Sequence, residues 1–348
     1  MNEHVDFKIY EPPEERRYWV VKADAGKYFE IFTSHSLIAI GHLNEFVSDS
    51  SCANPFISNS KQIRRMMTIM QGDKEYYNSN NYGQVNSFVN EMKVGDWVLT
   101  KGDGVVRVGR IESKPRLDTE SQQMLIKQGT RHEKTLVMDF MLKRTVRWGP
   151  TIKTAHLPLD IFISLKSPMT LYNSDRYMES ICYCLYPFFK IDNFLYLSIR
   201  ISQKDELRNF YITKIFEYLN ELEFLSKLDG VVFNKDELGK MYHDFAIAEN
   251  FSLSTQASFH SPGDIWAKLG FNGSSVTPKM IKAVCIYAML FGNSHLGMDG
   301  IIDVESRQKL WDILAKRIDI EVTQGAAKKL KLEIPKYDTE NIEGMDVK

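Results

Sequence analysis

The chain lacks most of the residue patterns that announce a chemistry. Its four cysteines in 348 residues, Cys52, Cys182, Cys184 and Cys285, form no Cys-x-x-Cys pair, and no histidine lies at zinc-finger spacing. That excludes a zinc ribbon and a disulfide framework and fits a reduced, cytoplasmic set of thiols. No GxSxG, Walker A or HExxH sequence occurs, so the common esterase, P-loop and zinc-protease sites have no carrier. Neither charge dominates, with 44 Lys and Arg against 45 Asp and Glu; the molecule as a whole does not attract a polyanion. The longest strongly apolar run, Ala283 to Phe291, falls far short of the ~20 residues that cross a bilayer, so no membrane partner is expected. The N-terminal MNEHVDFKIYEPPEERR is polar and acidic where a signal peptide would be basic and then apolar, and export is not expected.

What is present is an ordinary globular composition, 43% hydrophobic and 26% charged, on a chain long enough for two domains. Residues 1–16, with Pro12-Pro13 among acidic residues, read as an extended arm. A first strand alternates Tyr18, Val20 and Lys22 with Trp19 and Val21, the period of a half-buried strand. Lys61 to Met70 has helical spacing, Asn78 to Gly83 is rich in turn formers and reads as a loop, and Gln84 to Met92 puts Val85, Phe88 and Val89 on one helical stripe. Gly102-Asp103-Gly104 between two β-rich runs predicts a hairpin, because glycine reaches positive φ without steric cost. Val137 to Trp148 supplies a further strand or strand pair that Gly149-Pro150 is expected to end. Local charge departs from the global balance: Lys93 to Arg147 holds 12 basic and 7 acidic residues, a basic face of the kind phosphate contacts require.

Residues 151–193 carry Pro158, Pro168 and Pro187 among aromatics and read as a packed connector. A second domain, 194–330, opens with a strand over Phe194 to Ile201 and a long helix from about Lys204 to Leu228. In that helix Leu207, Tyr211, Ile215, Tyr218, Leu222 and Leu225 form a stripe facing either a core or a second copy of the chain. Phe251 to Phe259 alternates like a strand, and Thr277-Pro278 starts an apolar helix running to Phe291. An amphipathic helix over about Val304 to Ile318 and a charged tail, 331–348, complete the reading.

In the first 150 residues the segments Arg17 to Lys22 (RYWVVK), Ile38 to Gly41 (IAIG), Lys93 to Trp97 (KVGDW), Val108 to Ile111 (VGRI) and Arg144 to Gly149 (RTVRWG) resemble the PUA/EVE-like domain found at the N-terminus of Mrr-type, modification-dependent restriction proteins. The resemblance implies a small β-barrel with flanking helices over residues 17–150, followed by a helix-rich α+β domain that it does not cover. It also implies a reader that accepts a flipped, often modified, base in an aromatic-lined pocket, in a restriction or anti-phage setting, with DNA favoured over RNA. Such a pocket needs ring faces for stacking, polar groups for the base edge and cations for the flanking phosphates. Tyr18, Trp19, Trp97 and Trp148 are the candidate walls. Asp24, His42, Asn44 and Thr100 are candidate hydrogen-bonding groups, and Lys22, Lys27, Lys101 and Arg147 candidate cations. Strand alternation constrains the set: if Tyr18 lines the pocket, Lys22 shares its face and Trp19 packs inward. His42 departs from the family, whose members commonly carry tryptophan after the IG pair.

The reading is of a non-catalytic protein without cofactor or metal, with a homo-oligomer through the C-terminal domain as a further expectation. Two rivals stay open. One is an interaction or small-ligand sensor that has lost base readout. The other is a divergent metal nuclease, for which Asp299, Asp303 and Glu305 in GMDGIIDVESRQK are the only carboxylates in a suitable cluster. There the glutamate is predicted on a helix, and its lysine falls four residues on rather than two.

Overall fold

A computed structural model describes residues 9–44, 67, 69–71, 74–76, 79–128, 132–228, 235–259, 262–272, 276–291, 312, 314 and 326–335. The chain is mixed α+β and divides into two units, Pro13–Ile181 with Asp338–Lys348, and Met1–Pro12 with Cys182–Tyr337. The boundary lies some thirty residues beyond the expected one. The supposed connector is cut in two, because its first part adds a strand to the N-terminal sheet. Within the segment read as an extended arm, Ile9 is buried in the C-terminal unit's core, Tyr10 stacks on Tyr186 at 3.8 Å, and Glu11 pairs with Lys190 at 2.8 Å.

The N-terminal unit is built on β1 (Tyr18–Val21), β2 (Leu37–Ile40), β5 (Trp97–Lys101), β6 (Val105–Ile111), β7 (Arg116–Leu117), β10 (Leu142–Lys153) and β11 (Leu171–Asn173). Their order is β11-β1-β5-β6-β10-β2, with β7 beside β10; β1 runs parallel to β5 and every other pairing is antiparallel. The sheet curls into a half-barrel with β11 and β2 at its two ends. Two hairpins lie off this path, β3 (Ile69–Gln71) with β4 (Lys74–Tyr76) and β8 (Gln122–Gln128) with β9 (His132–Met138). Among the described residues, three short α-helices accompany the sheet: α1 (Phe29–Ser34), α2 (Ser79–Asn86), continued by a π-helical turn over Ser87–Glu91, and α3 (Leu159–Ser164).

Three local expectations fail here for physical reasons, and a fourth falls mostly outside the described residues. Of the turn formers in Asn78 to Gly83, those from Ser79 on open α2; Ser and Asn are poor in helix interiors but good at helix starts. Of the helix expected over Lys61 to Met70, Ile69 and Met70 lie in β3 and most of the rest falls outside the described residues. Gly149-Pro150 does not stop its strand, since β10 runs on to Lys153 with a register shift between Trp148 and Thr151; a bulge is where a sheet tolerates proline. All four residues of β1 are buried, so its alternation sorts two covered faces, not core from solvent. One face, with Trp19, Val21, Val98, Ile111, Val146 and Trp148, belongs to the main apolar cluster. The expected stripe of Val85, Phe88 and Val89 packs into that same cluster.

In the C-terminal unit, β12 (Phe188–Ile191), β13 (Phe194–Ile201), β15 (Gly263–Gly270) and β14 (Ser254–Ser258) pair in that order, and β16 (Leu332–Glu333) joins β13. Helices α5 (Asn209–Lys227), α6 (Lys235–Ile247) and α7 (Val276–Phe291) lie in this unit, and α4 (Met178–Tyr183) straddles the chain division at Ile181. The stripe of α5 faces the unit's own core: Ile215, Tyr218, Leu222 and Leu225 are buried there with Leu195, Leu197 and Ile199 of β13 and Ala283, Val284 and Tyr287 of α7. The sheet's other face holds an aromatic set in which Phe189 stacks on Tyr196 at 4.5 Å and Tyr183 meets both edge-on. Glu223, fully buried, accepts from the Ser252 amide at 2.6 Å and the Leu253 amide at 3.1 Å, and pairs with Lys227 at 2.6 Å. The helix expected over Val304 to Ile318 lies almost wholly outside the described residues, as do Gly297 to Lys309 and His260-Ser261. No described helix is long and apolar enough to cross a membrane.

Candidate functional site

Three of the four rings proposed as pocket walls, Tyr18, Trp19 and Trp97, are taken up by the fold, and Trp148 is largely buried. Tyr18, Trp19 and Trp97 are each 1% exposed and Trp148 is 7% exposed. Trp19 Nε1 donates to Asp96 Oδ2 at 2.9 Å, and the same oxygen accepts the Lys93 amide at 2.9 Å. The aspartate of KVGDW thus ties the turn before β5 to the indole on β1. Tyr18 and Trp97, level in the parallel β1–β5 pairing, meet edge-on at 5.7 Å. Arg16 covers the Trp97 ring at 4.6 Å and Arg17 the Trp19 ring at 5.2 Å. The stacking pocket expected from Tyr18, Trp19 and Trp97 is not open, because both faces of the sheet carrying them are covered.

The polar candidates scatter. Asn44 donates to the Asp139 carbonyl at 2.9 Å and accepts the Met141 amide at 3.2 Å, pinning the β9–β10 loop. His42 has its Nε2 shielded from solvent with no hydrogen-bond partner. Burial pushes its pKa below the ordinary histidine value, and a hydrogen bond with the Gln84 side chain opposes the shift. Thr100 is fully buried on β5, its hydroxyl also without a partner. Asp24, Ala25 and Gly26 form a left-handed run with φ of 51°, 55° and 98°, and Asp24 makes an exposed pair with Lys27 at 3.7 Å.

Two pairs of candidates do come together. Lys22 and Lys101 close one end of the adjacent strands β1 and β5, and the Lys22 ammonium donates to the Ser167 carbonyl. Burial, then the like charge of Lys101, lowers the Lys22 pKa from the ordinary lysine value. Arg147 and Trp148 share an open hollow of about 450 Å³ with Thr33, Ser36, Arg107 and Glu112. The Trp148 indole is fixed there by its N–H bond to the Phe32 carbonyl at 2.8 Å. Gly109 lets that ring lie close, since a Cβ there would come within 2.6 Å of Trp148 Cε3 and 2.5 Å of Val146 Cγ1. Arg147 is bound to Glu112 at 2.6 Å. Arg107 donates to the Gly149 carbonyl at 3.1 Å and, among the described residues, has no carboxylate partner.

The other arginine of RTVRWG does different work. Arg144 is 2% exposed and donates to the carbonyls of Phe88, Met92 and Ser113 at 2.6–2.9 Å, closing the C-terminal end of the π turn. Burial pulls its pKa down to about 10, with the Asp96 charge acting against the shift, so it stays a cation at neutral pH.

The sequence reading missed Arg107, Thr33, Ser36 and Glu112 as lining residues. Arg107 was detectable, standing between Val106 and Val108 where its side chain must take the opposite face of the strand. Thr33 and Ser36 come from the α1–β2 corner, which no local pattern ties to β10. Chemically the hollow offers a guanidinium, an indole edge and hydroxyls, with no nucleophile–base pair among its lining residues. No group of three or more His, Cys, Asp or Glu among the described residues is placed to hold a metal. No family model, curated protein or solved structure matches the chain.

Proposed function

We propose that the N-terminal unit binds nucleic acid, DNA rather than RNA, at the hollow between Arg107, Arg147 and Trp148, and that the chain acts as a non-catalytic reader in restriction or anti-phage defence. The observation that carries this reading is Arg107, a cation in an open cavity with no carboxylate to neutralise it among the described residues. A volume of about 450 Å³ falls within the ~300–1,000 Å³ usual for ligand sites. Lys22 and Lys101 add a second pair of cations whose mutual repulsion a phosphate would relieve. With Tyr18, Trp19 and Trp97 sealed, backbone contacts supply most of the affinity, and any readout of a modified base depends on Trp148. The defence setting rests on the motif resemblance alone.

The test is binding of labelled oligonucleotides, plain and cytosine-modified, across a salt series. Affinity is expected to fall with the logarithm of salt, and Arg107→Ala and Lys101→Ala each to reduce that slope by about one. Wild-type affinity that ignores salt, or two variants that bind like wild type, would sink the assignment. Burial of the rings favours a second reading, an interaction or small-ligand sensor, which predicts no oligonucleotide binding at all. Magnesium-dependent DNA cleavage lost in Asp303→Ala would instead establish the nuclease alternative.

A further inference from the structure

The C-terminal unit contains a hollow of its own, built from cations. It measures about 510 Å³ and lies between the start of α5 and the segment entering β16, lined by Gln203, Arg208, Tyr211, Lys328, Lys329 and Lys331. Ala326 and Leu330, four residues apart on a short helical turn, are fully buried, which leaves Lys328 and Lys329 exposed. The backbone then clamps this segment in place: Ser202 N–H donates to the Lys331 carbonyl and Gln203 N–H to the Leu330 carbonyl, both at 3.3 Å. Among the described residues Arg208, Lys328, Lys329 and Lys331 have no carboxylate within ion-pair distance, although Asp205 and Glu206 stand on the same wall.

Four cations gathered in one cavity repel one another, and an anion is what would offset that cost. The start of α5 adds to the same field, because its first turn holds no acidic residue and Arg208 at the N-cap makes no side-chain cap. Two further features are not explained by a bare phosphate. The Gln203 side-chain oxygen is shielded from solvent and accepts no hydrogen bond, a placement that calls for a donor. Tyr211 presents an aromatic wall steadied by Phe210, edge-on at 5.5 Å.

We propose that this hollow binds a nucleoside phosphate. The phosphates sit on Arg208, Lys328, Lys329 and Lys331, the base lies against Tyr211 with an N–H or amine to Gln203, and Asp205 and Glu206 face the sugar hydroxyls. The site stands apart from the proposed oligonucleotide hollow and does not depend on it.

Calorimetric titration of the full chain with adenosine and guanosine diphosphates, tripolyphosphate and an oligothymidylate tests it. A nucleoside diphosphate is expected to saturate, and the double variant Lys328→Ala/Lys331→Ala to weaken it at least about tenfold. Tyr211→Leu should weaken the diphosphates while leaving tripolyphosphate unchanged. Should Tyr211→Leu fail to fold by circular dichroism, Gln203→Glu serves in its place, since a carboxylate there should repel the diphosphate. Arg107→Ala should change nothing. Absence of diphosphate binding at ~1 mM overturns the proposal. So does tripolyphosphate binding as tightly as the diphosphates with Tyr211→Leu and Gln203→Glu silent, which would mark a plain polyanion patch. Oligothymidylate binding that alone is lost in Lys328→Ala/Lys331→Ala would mark a strand-binding surface and overturn it equally.

Discussion

Both units bury charged side chains, and Arg144 in one and Glu223 in the other have opposite sign. In the N-terminal unit Arg144 is held by backbone carbonyls at the end of a helical turn, while in the C-terminal unit Glu223 gathers the Ser252 and Leu253 amides and keeps Lys227 as counter-ion. The choice follows from the backbone on offer. A helix C-terminus presents unpaired carbonyls and wants a cation, whereas a loop entering a strand presents amides and wants an anion. The difference lies in compensation. Glu223 is neutralised at 2.6 Å, but Arg144 relies mainly on dipoles, and its lowered pKa records desolvation that those dipoles do not fully repay.

Removing Arg144 is therefore the harsher test. Arg144→Met leaves its buried carbonyl partners unsatisfied, at about 1–3 kcal/mol each, and should give the largest single loss in denaturant unfolding. A loss under about 1 kcal/mol would show that the turn after α2 closes without it. Glu223→Gln keeps one acceptor and leaves Lys227 without its counter-charge; a loss of about 1–3 kcal/mol is expected, and one equal to that of Arg144→Met would erase the contrast. Gly109→Ala pushes against Trp148 and Val146, with an expected cost of about 1–3 kcal/mol and a changed Trp fluorescence spectrum; an unaltered spectrum would mean that the indole has room to move.

The smallest effect is a pH dependence in the N-terminal unit. His42 has its folded pKa below the ordinary value of 6.5, so the unfolded chain takes up its proton first. The stability this contributes is present above 6.5 and is lost as pH falls through the folded pKa. Melting temperatures should decline in that direction for the wild type and less steeply for His42→Gln; parallel curves would remove His42 from the account.

Much of the local structure was legible in residue order. The GDG hairpin, β13 over Phe194–Ile201, the stripe of α5 and the apolar α7 follow from period, glycine placement and helix-start signals. These are short-range properties, set by φ/ψ preference and by the need to bury one face. The failures share a cause. The proline of β10 and the asparagines of α2 break local rules that longer-range pairing and packing override, and the N-terminal unit reaches Ile181 because β11 pairs with β1 across some 150 residues.

The ligand-facing residues were least legible. Alternation correctly separated Trp19 from Tyr18, since opposite faces of a strand are a local fact. Whether either face meets solvent is not, because that depends on what covers the sheet from distant parts of the chain. Residue order therefore established which side chains share a side, and only the folding of remote segments over both sides settled that three of the four rings are core while Trp148, beside Arg107, borders an opening.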